Sequence, residues 1–227
     1  MKFKISGGIY HEIQVRMTYN SNHMEGSTLT EEQTRRIFET QTIDVPSGTP
    51  IDDIIETSNH FRAIDYCIAT AEDPLTATWM KYVHYLLKRG TLQESLDWFQ
   101  VGEFKSRSNT VGGRITTPSA LVPQAVHYLL ADYQEVTSAN LEDIVQFHVD
   151  FERIHPFQDG NGRLGRLIAF KECLHHHILP FFIEDRKKHF YYRGLQEWDD
   201  QKGFLLETCR DGQDNVQELM RMFDILD

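Results

Sequence analysis

The chain has 227 residues, 40% of them hydrophobic and 25% charged, which is typical of a globular protein with one large domain or a domain with a small appendage. Its formal net charge of −11 argues against broad nucleic-acid binding and against an anionic membrane surface, because both favour a basic face. The sequence has no apolar run of the ~20 residues that a membrane span needs, and no signal peptide is recognisable. Cys67, Cys173 and Cys209 are far apart and form no metal-type pair, so we expect reduced, mostly buried thiols in a cytoplasmic protein.

Apolar residues recur at spacings of three and four along most of the chain, and this pattern predicts helices separated by turn residues. One stretch differs: residues 109–118 combine glycines with β-branched residues and predict a small hairpin. Pro123 should begin one helix, Thr137 and Ser138 should introduce the next, and Pro180 should end the one after it. The fold class is therefore mainly α, with one β-hairpin. The helices are expected at residues 12–25, 31–40, 51–68, 79–87, 92–99, 123–133, 141–154, 164–178, 185–199 and 203–226.

The densest chemistry lies in residues 155–166, between the patterns for two buried helices. His155 can take a proton near neutral pH, and Asp159 offers the oxygen ligand that Mg²⁺ prefers. The glycines at 160 and 162 let backbone amides approach an anion, and a helix that begins there adds its free N–H groups. Each part of this stretch can act on a polyphosphate.

Residues 160–165 also fit the pattern G-x-G-x-x-G of dinucleotide-binding folds, and the acidic pair Glu184 and Asp185 lies about where a ribose-binding acid would stand. That fold requires a strand before the glycines. Residues 141–154 have a helical period instead, and the chain lacks alternating strand and helix patterns. We therefore disfavour this interpretation.

The whole stretch resembles the signature of the Fic family, H-x-F-x-D/E-G-N-G-R-x-x-R, and the resemblance extends over roughly residues 50–210. It implies a Fic-type helical bundle in which the hairpin is a flap. All eight specified positions are filled, by His155, Phe157, Asp159, Gly160, Asn161, Gly162, Arg163 and Arg166.

The resemblance assigns a role to each of these positions. His155 would be the general base that deprotonates a target hydroxyl, and Asp159 would hold Mg²⁺ on the α- and β-phosphates of ATP. Gly160, Asn161 and Gly162 would cradle those phosphates. Arg163 and Arg166 would bind the β/γ end, and Phe157 would anchor the loop in the core.

Further positions follow from the same resemblance. The glycine at 162 favours nucleotidyl transfer over the phosphate transfer of the Doc branch, which has a lysine there. The flap residues Thr110, Val111, Gly112 and Gly113 would pair with an extended segment of the target protein. Tyr191 and Tyr192 resemble a tyrosine pair beside the adenine, although two aromatic residues on a buried helix face would also be ordinary core.

A second motif lies far upstream, where Ser21 and Glu25 fit the S/T-x-x-x-E-G/N pattern of the family's inhibitory helix. The two residues lie on one face of the helix predicted at residues 12–25. The resemblance implies that Glu25 binds Arg166 and denies it to the γ-phosphate. The alternative is an exposed glutamate before a helix-ending glycine. Residues 1–45 would then be a regulatory segment, and residues 46–227 the Fic domain with its C-terminal helices.

The leading hypothesis is an autoinhibited, Mg²⁺-dependent protein adenylyltransferase that moves AMP from ATP to Ser, Thr or Tyr hydroxyls of a target protein or of itself. One alternative is a hydrolase that removes AMP, with Glu25 positioning water. Another is a nucleotide-sensing interaction module. The expected partners are ATP and an unidentified target protein, without nucleic acid or membrane, and the oligomeric state stays open, a homo-oligomer included.

Overall fold

The computed structural model describes Met1 and residues 4–225. Within these residues the fold is a bundle of nine α-helices with one antiparallel hairpin, which confirms the mainly α fold class. The helices are α1 Ile9–Met24, α2 Glu31–Thr40, α3 Ile51–Ala69, α4 Ala77–Lys88, α5 Val122–Gln134, α6 Leu141–Ile154, α7 Asn161–His175, α8 Lys188–Gln196 and α9 Lys202–Met222, and the strands are β1 Thr110–Val111 and β2 Arg114–Ile115.

Capping boxes fix the starts of two of the described helices. At α2, the Thr30 hydroxyl accepts a hydrogen bond from the Gln33 amide (3.2 Å), and the Gln33 side chain accepts one from the Thr30 amide (2.9 Å). This capping box satisfies two amides that have no helical acceptor. At α6 the cap is Asn140, whose side chain accepts from the amides of Glu142 and Asp143 at 2.8 and 3.3 Å. The prediction that Thr137 and Ser138 introduce this helix was therefore wrong by two to three residues.

Two other segments differ from the sequence prediction. Residues 92–99 form only a single 3₁₀ turn, Leu92–Ser95, and the helix α7 ends at His175 rather than at Pro180. The apolar run at residues 178–183 is an irregular segment instead of a strand. This observation, together with the helix at Leu141–Ile154, is inconsistent with a dinucleotide-binding βαβ unit.

The helix α7 lies at the centre of the bundle. Twelve of its fifteen residues are buried, because α1, α3, α4 and α6 all pack around it. The helix α1 meets the N-terminal half of α7 with its own C-terminal end. The three cysteines are buried and free, as predicted. None of the described helices is both long and apolar enough to cross a membrane.

Candidate functional site

The loop between α6 and α7 is held by its own side chains. Phe157 is completely buried and stacks on the ring of His84, with 4.1 Å between the ring centroids. The Asn161 side chain accepts a hydrogen bond from the Phe157 amide (2.9 Å) and donates one to the Phe157 carbonyl (2.8 Å). Phe157 thus anchors the loop as expected. The Asn161 side chain points inward, so only its backbone amide remains for an anion.

His155 is the residue at which α6 ends, and it has a left-handed backbone conformation with φ of 51°. Burial, and then the charge of Lys105, lower its pKa to about 4. The imidazole is therefore neutral at physiological pH and can accept a proton. Its Nδ1 atom faces the Glu152 carboxylate at 4.0 Å. Burial raises the pKa of Glu152 to about 8.

Asp159 belongs to a ring of four charges. Its Oδ2 atom accepts a hydrogen bond from Lys88 Nζ (2.7 Å) and lies 3.6 Å from Arg163 Nη2. Glu56 closes the ring, because its two carboxylate oxygens pair with Lys88 and Arg163. Burial alone would raise the pKa of Asp159, but the charges of Lys88 and Arg163 outweigh it and hold the pKa well below its usual range.

His84 positions the backbone of the same corner. Its Nδ1 atom accepts a hydrogen bond from the Gly102 amide (2.9 Å), so the proton of the neutral ring must be on Nε2, which donates to the Asp159 carbonyl at 3.1 Å. Burial is the main reason that the pKa of His84 is lowered to about 3. His84 therefore acts as a fixed neutral donor.

Arg166 is bound by the C-terminal end of α1. It donates to the Ser21 hydroxyl (3.0 Å), to the Ser21 carbonyl (2.9 Å) and to Glu25 Oε1 (2.7 Å). Burial alone would lower the pKa of Arg166, but the Glu25 carboxylate more than offsets this and raises it. The Nη1 atom is buried and has no hydrogen-bond partner among the described residues, so a donor remains for an anion.

The N-terminus of α7 lies next to Glu25 and has the geometry of an anion site. Gly160 precedes the helix in a left-handed conformation with φ of 77°, and the first amides of any helix have no helical acceptor. Gly162 lets another group come close to these amides, since a Cβ atom at this position would lie only 2.3 Å from Glu25 Oε1. The Glu25 carboxylate thus occupies the space next to Gly162.

The tyrosine pair is divided between core and surface. Tyr191 is completely buried, and its hydroxyl lies 2.7 Å from His148 Nε2, so it fits the interpretation as core. Tyr192 is 44% exposed and donates to the Met24 carbonyl (3.3 Å) at the end of α1.

The flap protrudes beside His155. Its strands pair Thr110 with Ile115 and Val111 with Arg114, and all four residues are exposed. Lys105 links the base of the flap to α6. The buried ammonium of Lys105 donates to the side chains of Asn109 and Thr116 (2.9 and 2.6 Å) and to the Ile154 carbonyl (3.4 Å). Burial lowers the pKa of Lys105 to about 8.

Sequence analysis missed several of the residues that support this site. The available signal was a polar residue within an otherwise apolar helical pattern, as at His84 on α4. The missed residues are Glu56, His84, Lys88, Lys105 and Glu152.

Comparisons with known proteins agree with this geometry. Residues 74–172 match the model of the Fic/DOC family. Proteins named protein adenylyltransferase Fic are similar to the chain: the one from Aedes aegypti is 28% identical over 188 residues, and the one from Drosophila grimshawi 29% over 181. These alignments cover 82% and 78% of this chain, but only 37% and 36% of the relatives, so the chain spans little more than a third of their length.

Solved structures share the fold. A Fic-domain-containing signalling protein from Bacteroides thetaiotaomicron superposes with a TM-score of 0.75 at 23% identity, over 94% of this chain and 82% of that one. A Fic family protein from Desulfovibrio desulfuricans gives a TM-score of 0.74 at 26% identity, over 94% and 66%. The match to the Fic/DOC family model contains the complete stretch from His155 to Arg166.

Proposed function

We propose that this chain transfers AMP from ATP to a hydroxyl side chain of a target protein, and that α1 restrains the reaction. The observation that carries the proposal is that a neutral, partly buried histidine and the N-terminus of α7 lie at the two ends of one short loop. The adenylyltransferase names of the similar proteins support the same chemistry. Residues 1–45 would be the regulatory segment of a catalytic domain at 46–227.

In the proposed reaction, His155 takes the proton of the target hydroxyl as the oxygen attacks the α-phosphorus of ATP. A new P–O bond forms to the target, and the bond to the leaving pyrophosphate breaks. The amides at the start of α7 and the free Nη1 of Arg166 would stabilise the phosphate charge. Gly160 and Gly162 let the phosphates approach these amides closely. Arg163 would stabilise the phosphate charge from beneath the loop, since its side chain is buried and paired with Glu56.

The Asp159 carboxylate fits a magnesium ion. It is ionised, and its side chain is 40% exposed beside the anion site. The described residues contain no group of three or more His, Cys, Asp or Glu side chains suited to a metal. A site of one carboxylate completed by substrate phosphates and water is, however, ordinary for Mg²⁺. When bound, the ion would neutralise phosphate charge. The Asp159 carboxylate is held in position by its contacts with Lys88 and Arg163.

The contact between Glu25 and Arg166 is the proposed restraint. A guanidinium whose Nη2 is bound to a carboxylate at 2.7 Å cannot bind a γ-phosphate through the same donor. The carboxylate would also repel the negative phosphates from the space beside Gly162. ATP could then bind only in a displaced position, with its α-phosphorus out of reach of the attacking hydroxyl.

The flap and the exposed tyrosine would complete the substrate sites. The exposed strand edge at Thr110 and Val111, with the turn at Gly112 and Gly113, suits pairing with an extended target segment beside His155. Tyr192 would contact the adenine, because its ring is exposed next to the end of α1.

The test is incubation with Mg²⁺ and ATP labelled on the α-phosphate, with protein-bound label as the readout. Glu25→Gly should raise transfer at least about tenfold, since it removes a hydrogen bond between charged groups, worth about 1.5–3 kcal/mol. Glu25→Gly/His155→Ala should lose it. Glu12→Gly, which removes an ion-paired glutamate at the other end of α1, should leave transfer unchanged.

No gain in Glu25→Gly, with ATP binding intact, would refute the restraint. Label that persists in the His155→Ala double variant would refute the assigned base. If no variant transfers label, the same proteins should be tested for release of AMP from a labelled protein; release that depends on Glu25 would favour the hydrolase.

A further inference from the structure

Lys88 lies directly beneath the corner of the loop that presents Asp159. It is the last residue of α4 and only 1% exposed. Its methylene stem packs under Gly160, where a Cβ atom would lie 3.4 Å from Lys88 Cδ. Its ammonium donates to Asp159 Oδ2 at 2.7 Å. The charge is therefore held at a fixed place next to the proposed cation ligand.

Glu56 keeps this ammonium in place. It pairs with Lys88 through one carboxylate oxygen and with Arg163 through the other. The four side chains of the ring carry two positive and two negative charges, so the ring is neutral as a whole. Asp159 consequently has no surplus negative charge to attract a cation before a nucleotide arrives.

A cation bound to Asp159 would lie close to Lys88, because both would be held by one carboxylate. Coulomb repulsion between the ammonium and a divalent ion is twice that with a monovalent ion, and it is weakly screened at a buried site. A triphosphate changes this balance, since it adds several negative charges on the other side of the ion. These charges offset the repulsion by Lys88.

We propose that Lys88 is a positioning residue that makes divalent-cation binding at Asp159 depend on the nucleotide. The inference rests on the proposed role of Asp159. Lys88 orients the carboxylate through Oδ2 and opposes a cation that arrives alone. The cation then enters together with the phosphates.

The experiment measures Mn²⁺ binding without nucleotide, by the electron paramagnetic resonance signal of the free ion. Lys88→Met keeps most of the stem and removes the charge, and it should lower the Kd for Mn²⁺ at least tenfold relative to the wild type. Adding Asp159→Asn should abolish this gain. Lys88→Arg, which restores a charge, should bind Mn²⁺ no better than the wild type.

Lys171→Met is the matched control. Lys171 is also completely buried and ion-paired, with Glu172 on α7, but it contacts the Asp73 carbonyl far from the loop. Its loss should lower stability without changing Mn²⁺ affinity. Lys88→Gln, which keeps a donor for Asp159 but no charge, provides the same test if the methionine variant does not fold.

If Lys88 had only a structural role, its replacement would raise the Kd for Mn²⁺, because a disordered Asp159 would bind cations more weakly. Mn²⁺ affinity in folded Lys88→Met or Lys88→Gln that equals or falls below the wild-type value would overturn the inference. So would a gain that survives Asp159→Asn. The measurement requires no transfer reaction, so a failure to transfer AMP would refute the proposed function and leave this inference standing.

Discussion

At the scale of single residues, the protonation state of His155 decides when the proposed base can work. Two effects act in the same direction: burial disfavours the imidazolium, and the Lys105 ammonium repels it. Together they lower the pKa of His155 to about 4, and the ring stays ready to accept a proton in mildly acidic solution.

The transfer rate of the Glu25→Gly protein should therefore be nearly flat from pH 7 to pH 5. A base with an ordinary pKa of about 6.5 would lose more than tenfold in rate over this range. Lys105→Met removes a repelling charge, so the pKa of His155 rises and the rate should begin to fall within the range. Single-turnover rates at each pH provide the measurement.

The control is Lys81→Met, since Lys81 pairs with Glu103 outside the loop. It should keep the flat profile. A rate that falls tenfold between pH 7 and 5 in the parent protein, or an unchanged profile in Lys105→Met, would contradict this account of His155.

At the scale of elements, α1 is held by polar contacts rather than by an apolar face alone. Asn20 accepts from the Asp185 amide (2.8 Å), and Thr18 lies 3.0 Å from His60 Nδ1. Ser21 contacts Arg166 through its hydroxyl and its carbonyl. Each of these contacts can be replaced by a contact with water. Removal of one of them should therefore weaken the docking of the C-terminal end of α1 without abolishing it.

Ser21→Ala should accordingly raise AMP transfer, but less than Glu25→Gly does. It removes one hydrogen bond to a charged group, about 1.5–3 kcal/mol, and leaves the Glu25 ion pair in place. Initial rates with labelled ATP measure the order of the two variants. Ser27→Ala, just beyond the helix, should behave as the wild type. A Ser21→Ala rate equal to the wild-type rate, or above that of Glu25→Gly, would show that the docking of α1 does not weaken contact by contact.

Helix periodicity and local caps explain why most elements could be predicted. The α2 capping box can be recognised in the sequence from Thr30 and Gln33, three residues apart. The residues that introduce α6 were misassigned because Thr137 and Ser138 are also good cap residues, whereas Asn140 forms a reciprocal cap with Asp143. Local sequence does not reveal which of several competent caps is used.

At the scale of the whole molecule, the site depends on contacts between distant parts of the chain. Glu25 and Arg166 are 141 residues apart, and Lys88 and Asp159 are 71 apart. The motif and the upstream glutamate could be found because they resemble a family signature. Glu56 and Lys88 could not, since each is an ordinary charged helix residue until the bundle brings them beneath the loop.

Buried histidines also link the stability of the whole bundle to pH. Burial is the main reason that the pKa values of His60, His84, His148 and His155 lie below the ordinary value, at about 3 for His84 and His148 and about 4 for His155. The unfolded chain therefore binds more protons below about pH 6.5, and the free energy of unfolding falls as pH decreases. Glu152 acts in the opposite sense, because its pKa of about 8 favours the folded state at low pH and loses this contribution as pH rises towards 8.

Four histidines outweigh one glutamate, so the free energy of unfolding should fall from pH 7 to pH 5, by up to about 1.4 kcal/mol per pH unit for each net proton, and the urea midpoint should fall with it. His148→Gln removes one of these groups and should flatten the dependence by about one proton, whatever its effect on stability at pH 7. The exposed His127 is the control, since His127→Gln should keep the wild-type slope. A full slope in His148→Gln would mean that His148 does not contribute to the dependence. A midpoint that does not change from pH 7 to 5 would mean that the buried imidazoles are protonated in the folded state. His155 would then not be the neutral base on which the proposed reaction depends.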